Sequence, residues 1–304
     1  MSDLASIRPA IEAALKQLNV RLAAGDRAGA MRGLNELANR MIHTQRPDIS
    51  AACYLLPGRT ISLTVCRIPA VPRPDRPIAV FVPGLGASLL LAAVHALALL
   101  DRFDIVVCSL PGHSGSDELP DVSLAGFSDE CAALIAAAMP GARNLFGIGQ
   151  SLGGLIALEL AHRCPNQVKH VILLDPPFRL TRERPARVLH QVWRFTGENP
   201  YQARICQEIM GFDATTGEAG PSRDYHELVR GSFNCLLLRG GNPPGRMPSF
   251  VEEEDIAALR GHNPSIMVGT QLHAGGHTLL ADDPVGVLAQ LDQFLMPAGN
   301  AVQS

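Results

Sequence analysis

The sequence predicts an α/β fold, a mostly parallel sheet covered by helices on both faces. Three observations predict it. From Pro77 onward, short runs rich in Val, Ile and Leu ("IAVFVPG", "FDIVVCSLPG", "NLFGIGQS", "VKHVILLDPP", "NCLLLRGG") alternate with segments of helical spacing. Those runs are apolar throughout, as strands buried on both faces are. A serine flanked by glycines sits where one run gives way to a helical segment, and the carboxyl ends of such strands are where ligands bind.

Residues 1–46 read as two helices, "LASIRPAIEAALKQLNVRLAAG" and "DRAGAMRGLNELANRMIHT", parted near Gly25-Asp26, where Asp26 suits the cap of the second. They form a helical arm ahead of a main domain spanning 47–304. As an arm, they would be dispensable for hydrolysis of a small activated ester. "AACYLLPG" and "TISLTVCRIP" then alternate as two strands around Pro57-Gly58-Arg59, and "PAVPRPDRP" links them to the sheet rhythm. In that rhythm, "ASLLLAAVHALALL" is too short to span a bilayer and contains His95, so it reads as a core helix. Further helices are read at "LAGFSDECAALIAAAM", after "GQS", near "FVEEEDIAALRG" and at "PVGVLAQLDQFLM", with a strand at "SIMVGTQLHAGG". Residues 178–230 break the rhythm. They hold the only tryptophan, Trp193, read as two or three helices with a Gly/Pro-rich tip, and would overhang the strand ends as a lid or cap.

Composition narrows the function. The net charge is −3, 18% of residues are charged and no block of like charge occurs, which argues against a nucleic-acid footprint or a polybasic membrane patch. Seven cysteines without a C-x-x-C pair read as reduced, mostly buried thiols of a cytoplasmic protein. The N-terminus lacks the continuous apolar core of a secretory signal, and no run is long enough for a membrane span. No cluster of Cys, His and carboxylates has metal spacing, and no cofactor is required. The partner expected is a small apolar molecule. Nothing in the sequence fixes the oligomeric state.

In "GIGQSLGGLIA", glycines occupy both second neighbours of Ser151. A strand that turns abruptly into a helix holds its corner residue in a strained backbone region, and side chains at 149 and 153 would collide there. That context makes the G-x-S-x-G pattern a nucleophile elbow. A serine hydroxyl is a weak nucleophile until a base takes its proton, so Ser151 needs an imidazole within hydrogen-bond reach. Of ten histidines, His277 follows a strand in the "AGGH" turn and precedes the last helix. His273 reads as structural, at the end of that strand, and His113 in "PGHSG" as scaffold or cleft wall.

Four motifs in order, "VPGLGAS", "SLPGHSGSD", "GQSLGG" and "GGHTLLADDP", make residues 50–297 resemble the alpha/beta-hydrolase superfamily. The resemblance implies an eight-stranded, mostly parallel sheet with a cap after strand 6. It also implies a nucleophile, an acid and a histidine in that chain order, here Ser151, an acid and His277. Many members carry the acid in the turn after strand 7, but that turn reads Arg239-Gly240-Gly241-Asn242-Pro243. The alternative family position, after strand 6, offers Asp175, 24 residues beyond Ser151, as in pancreatic-type lipases and in the thioesterase domains of polyketide and peptide assembly lines. Glu252, Glu253, Glu254 and Asp255 are the fallback, though the run reads as a solvated first helical turn. The oxyanion hole expected from the resemblance uses the backbone amides of Leu85 and Leu152. Pro83 stands where many members have a histidine that steadies this loop.

The expected function is therefore a serine hydrolase cleaving a carboxylic ester or thioester through an acyl-enzyme, with Trp193 and Phe195 of the cap as pocket residues. Ile205, Met210 and Phe212 belong to the same group. Asp175 tilts the expectation toward thioesterase-like enzymes, in which residues 1–46 could dock an acyl carrier; they could equally form a dimer contact or simply pack on the sheet. Two alternatives use the same fold: carbon-carbon bond hydrolysis by the same three residues, and a non-catalytic binding protein.

Overall fold

A computed structural model of the chain describes residues 20–179, 199–213 and 223–296, with the single positions 13, 16, 17 and 216. Eight strands form one sheet in the order β1-β2-β4-β3-β5-β6-β7-β8. Strands β1 (Ala52–Pro57) and β2 (Ser62–Ile68) make the antiparallel hairpin read from the sequence, and β2 also runs antiparallel to β4 (Asp104–Cys108). The remaining pairings, through β3 (Ile78–Val82), β5 (Leu145–Gln150), β6 (Val168–Leu174), β7 (Asn234–Leu238) and β8 (Met267–Val268), are parallel.

Strand side chains alternate between two cores. Phe81, Ile105, Ile148, Ile172 and Leu236 point to the face covered by helices Arg27–Gln45, Leu89–Ala96 and Pro284–Leu295. Val80, Val82, Val106, Leu173 and Leu237 point to the face covered by helices Leu124–Ala138, Leu152–Arg163 and Glu253–His262. Burial on both faces is why the strands read as unbroken apolar runs. The cysteines are free, six of them buried and Cys164 half-buried. Among the described residues, no helix is long and apolar enough to cross a membrane.

Asp26 caps helix Arg27–Gln45 by accepting the Gly29 amide at 2.8 Å, as its sequence position suggests. Of the readings open for residues 1–46, this helix fits packing on the sheet. Leu34, Leu37, Ala38, Met41 and Ile42 are buried in the same core as the strands. Two asparagines one turn apart bind the open side of β1: Asn39 exchanges two 2.9 Å bonds with the backbone of Ala51, and Asn35 accepts the Cys53 amide at 2.9 Å. Unpaired strand groups are thus covered from within the chain.

At the other edge, β8 is shorter than "SIMVGTQLHAGG" suggests. Only Met267 and Val268 pair with β7, and Leu272 adds one isolated bridge to Gly240. The chain between them is partly exposed, and His273 lies in the turn that follows rather than at a strand end. The described cap residues lie between β6 and β7. Asn199 caps helix Pro200–Ile205, whose Tyr201 hydroxyl accepts the Leu119 amide at 2.9 Å, anchoring the segment to the loop after β4.

Candidate active site

Ser151 occupies the corner between β5 and helix Leu152–Arg163 with φ +54° and ψ −126°, a region that side chains rarely adopt. The backbone crowding expected around it is present. A methyl group on Gly149 would overlap the carbonyl of Gly153, and one on Gly153 would overlap the carbonyl of Val82. A Cβ on Gly84 would stand 3.0 Å from that of Ser151, so the loop after β3 also requires glycine to approach the elbow. Ser151 is itself buried and donates its amide to Leu174 at 2.9 Å.

Asp175 follows β6 directly and has φ +53°, a conformation that aspartate tolerates better than most residues. Its carboxylate is fully buried and receives three donors. His277 Nδ1 lies 2.6 Å from Oδ2, the Phe250 amide donates to Oδ2 at 2.9 Å, and the Ser249 hydroxyl donates to Oδ1. The His277 ring stands edge-on to Phe250, 4.4 Å between centroids, and its amide donates to Met247 at 2.8 Å. Asn242, where many superfamily members carry the acid, accepts the Ser249 amide at 3.1 Å. The turn after β7 therefore braces the carboxylate of the neighbouring strand instead of supplying one.

The structure steadies the loop after β3 without a histidine at position 83. His113, from the loop after β4, pairs Nδ1 with the Pro111 carbonyl at 2.8 Å and accepts the Gly86 amide on Nε2 at 3.2 Å. Burial holds the pKa of His113 below its ordinary value, against a smaller upward pull from Pro111, so the neutral ring that can accept from Gly86 is favoured. Ser114 reinforces the arrangement by accepting the Leu89 amide at 2.8 Å. Leu85 lies in this loop beside Gly84, and Leu152 is the first residue of the elbow helix, whose leading amides have no acceptor within the helix.

Ser151 and His277 line one cleft, open to solvent at its mouth. Its remaining walls are largely apolar, with Phe81, Leu91, Met210, Met247 and Phe250 among them. Of the cap residues expected at a pocket, Met210 lines this cleft. Ile205 packs in the sheet core, and Phe212 packs with Cys206 and Phe250. Trp193 and Phe195 lie outside the described residues.

One sequence expectation is overturned. Glu252, Glu253 and Glu254 are exposed, but Asp255 is buried and lies 3.0 Å from His226 Nε2, while His226 Nδ1 lies 2.7 Å from Asp224. Asp255 also accepts the Glu252 amide at 2.8 Å in a capping box, so it ties the cap exit to helix Glu253–His262. It turns inward because the helical period places it on the same face as Ile256 and Leu259. His113 supports the loop, in keeping with its reading as scaffold, while Ser249, Phe250 and Asn242 carry parts of the arrangement that residue patterns did not assign, because each acts through a contact between segments distant in sequence.

Residues 77–207 match the family model of the alpha/beta hydrolase fold. In sequence, the chain is 30% identical over 196 residues to the pimeloyl-acyl-carrier-protein methyl ester esterase of Chromobacterium violaceum, covering 61% of this chain and 70% of that protein. It is also 30% identical over 169 residues to the protein of the same name in Methylococcus capsulatus, covering 54% of this chain and 61% of that one. In structure, it resembles a carboxylesterase from Bacillus subtilis with a TM-score of 0.61 at 15% identity, over 86% of this chain and 96% of the other.

Proposed function

The chain belongs to the alpha/beta-hydrolase superfamily, and from that membership we propose that it hydrolyses a carboxylic ester through an acyl-enzyme on Ser151, with His277 as base and Asp175 as acid. The observation that carries this reading is the 2.6 Å pairing of His277 with Asp175 on the wall of the cleft that Ser151 lines.

In this mechanism the Asp175 carboxylate accepts a hydrogen bond from Nδ1–H and stays ionised, which leaves Nε2 as the basic nitrogen. Nε2 takes the Ser151 proton as Oγ attacks the ester carbonyl, and the imidazolium that forms is balanced by the buried carboxylate. The developing oxyanion is met by the amides of Leu85 and Leu152. Collapse expels the alcohol, which receives the proton from His277, and a water activated by the same nitrogen then releases the acid and regenerates Ser151. The apolar walls of the cleft suit a hydrocarbon acyl part.

A second reading has the acyl group presented on a carrier protein, with cleavage of a thioester or of an ester remote from the carrier. The relatives from Chromobacterium violaceum and Methylococcus capsulatus, named for an acyl-carrier-protein ester, favour it.

The test is hydrolysis of a chain-length series of p-nitrophenyl esters and acyl thioesters by the wild-type and Asp175→Asn proteins. Activity lost in the variant supports the mechanism and ranks ester against thioester. Wild-type inactivity on every member overturns it and moves weight to carbon-carbon hydrolysis.

A further inference from the structure

Besides Ser151 and His277, the cleft is lined by the polar side chains Gln150, Thr278 and His95, none of which the mechanism above uses, and His95 stands apart from the other two, on the helix wall. Helix Leu89–Ala96 turns Leu91, Ala92 and His95 toward the cleft, a spacing that puts all three on one face. In that helix, LLLAAVHA, His95 is the single polar side chain. No hydrogen bond or ion pair joins its ring to another described residue. The nearby carboxylate of Asp282 is already engaged, accepting the Gly276 amide at 2.9 Å and pairing with Arg246. His95 lies seven residues along the helix from its cap Ser88, about 10 Å along the axis, and lines the same cleft as Ser151.

We infer that the acyl cleft carries a polar subsite on its helix wall, where His95 hydrogen-bonds an uncharged carbonyl or hydroxyl borne along the acyl chain. The inference rests on the esterase reading above and names its substrate class: oxo-, hydroxy- or otherwise oxygenated acyl groups in preference to plain alkanoyl groups. Burial, against a smaller upward pull from Asp282, lowers the pKa of His95 to about 4, so at neutral pH the ring offers one donor and one acceptor and no charge. A carboxylate hydrogen-bonded to His95 would meet a neutral ring, not a cation, in a largely apolar cleft, and would lose hydration without a compensating charge. A neutral oxygen needs one hydrogen bond, and His95 can supply it.

The experiment uses the full chain and matched pairs of p-nitrophenyl esters, each a plain alkanoate and an analogue with an oxo or hydroxy group at successive carbons outward from the ester. The expected result is one position at which the oxygenated ester has kcat/KM about tenfold above its partner, the discrimination one hydrogen bond gives. His95→Leu should bring that ratio close to unity, and His95→Gln, which keeps a donor and an acceptor, should restore part of it. Because the ratio is taken within each variant, a general loss of rate cancels. If His95→Leu fails to fold, His95→Phe, closer in shape, carries the same comparison. An active wild type with no preference at any position, or a preference that survives removal of the imidazole, overturns the inference. A wild type inactive even on the acetate ester instead overturns the esterase reading, and the inference with it.

Discussion

The hydroxyl of Ser249 donates to the carboxylate of Asp175 on the oxygen that His277 leaves open. With the Phe250 amide at 2.9 Å, this gives the buried acid a full set of donors from the turn after β7. Asp175→Asn should lower kcat about 10⁴-fold, as loss of the orienting acid does in serine triads generally. Ser249→Ala should lower it about tenfold, because it removes a charge-assisted bond to the carboxylate, and Asn242→Ala by less, because it removes one neutral bond. Steady-state kinetics on one activated ester compares the three. An Asn242 variant more damaged than the Asp175 variant would put the acid in the wrong strand turn.

Ser151→Ala should abolish turnover and labelling by a fluorophosphonate probe while thermal unfolding stays cooperative and near the wild-type midpoint. Gly153→Ala should behave differently. Its methyl group has to displace the carbonyl of Val82, so the midpoint should fall by roughly 5–10 °C, together with labelling. Differential scanning calorimetry alongside probe labelling separates the two; a Gly153→Ala protein of wild-type stability would refute the steric account of the elbow.

The Asp224–His226–Asp255 cluster predicts a pH dependence of stability. Burial pulls the pKa of His226 down, but the hydrogen bonds and charges of Asp255 and Asp224 outweigh it and raise it above its ordinary value. A raised folded pKa favours the protonated ring in the folded state. Its contribution is complete below the unfolded value of about 6.5 and is lost as pH rises through the folded value. His226→Gln should therefore cost more stability at pH 6 than at pH 9, measured by denaturant unfolding at both. The opposite order would mean that the cluster holds a neutral ring.

Removing residues 1–46 should yield an unstable, aggregating protein rather than a trimmed active one. The deletion exposes the core beneath Leu34, Leu37 and Ile42 and frees the β1 amides held by Asn35 and Asn39. Size-exclusion chromatography of the truncated chain decides it, and a monomeric, active truncation would refute the structural role given to this helix.

The elbow was legible in the sequence because its cause is local: five residues contain both the strained serine and the glycines that make room for it. The sheet was legible for a similar reason, since burial on two faces writes unbroken apolar runs. Asp175 could be chosen only because the turn at Asn242 lacks a carboxylate, and the brace that Asn242 provides through Ser249 has no local signature. His113 could be read as scaffold, but the amide it receives from Gly86 depends on how two loops meet. Asp255 misled because an acidic run before a helix resembles a solvated first turn, while its partner His226 lies 29 residues away. Helix Arg27–Gln45 showed its pattern, but not the strand edge it covers.

Asp175 and His277 pair across 102 residues, with Ser151 and Asp175 on one side of the cap and β7, β8 and His277 on the other. On the mechanism proposed here, a chain divided within the cap would leave the proposed nucleophile and acid on one fragment and the proposed base on the second, each expected to be inert alone. Turnover regained on mixing would time the docking of β7 onto β6, making the reaction itself a clock for the assembly of the sheet.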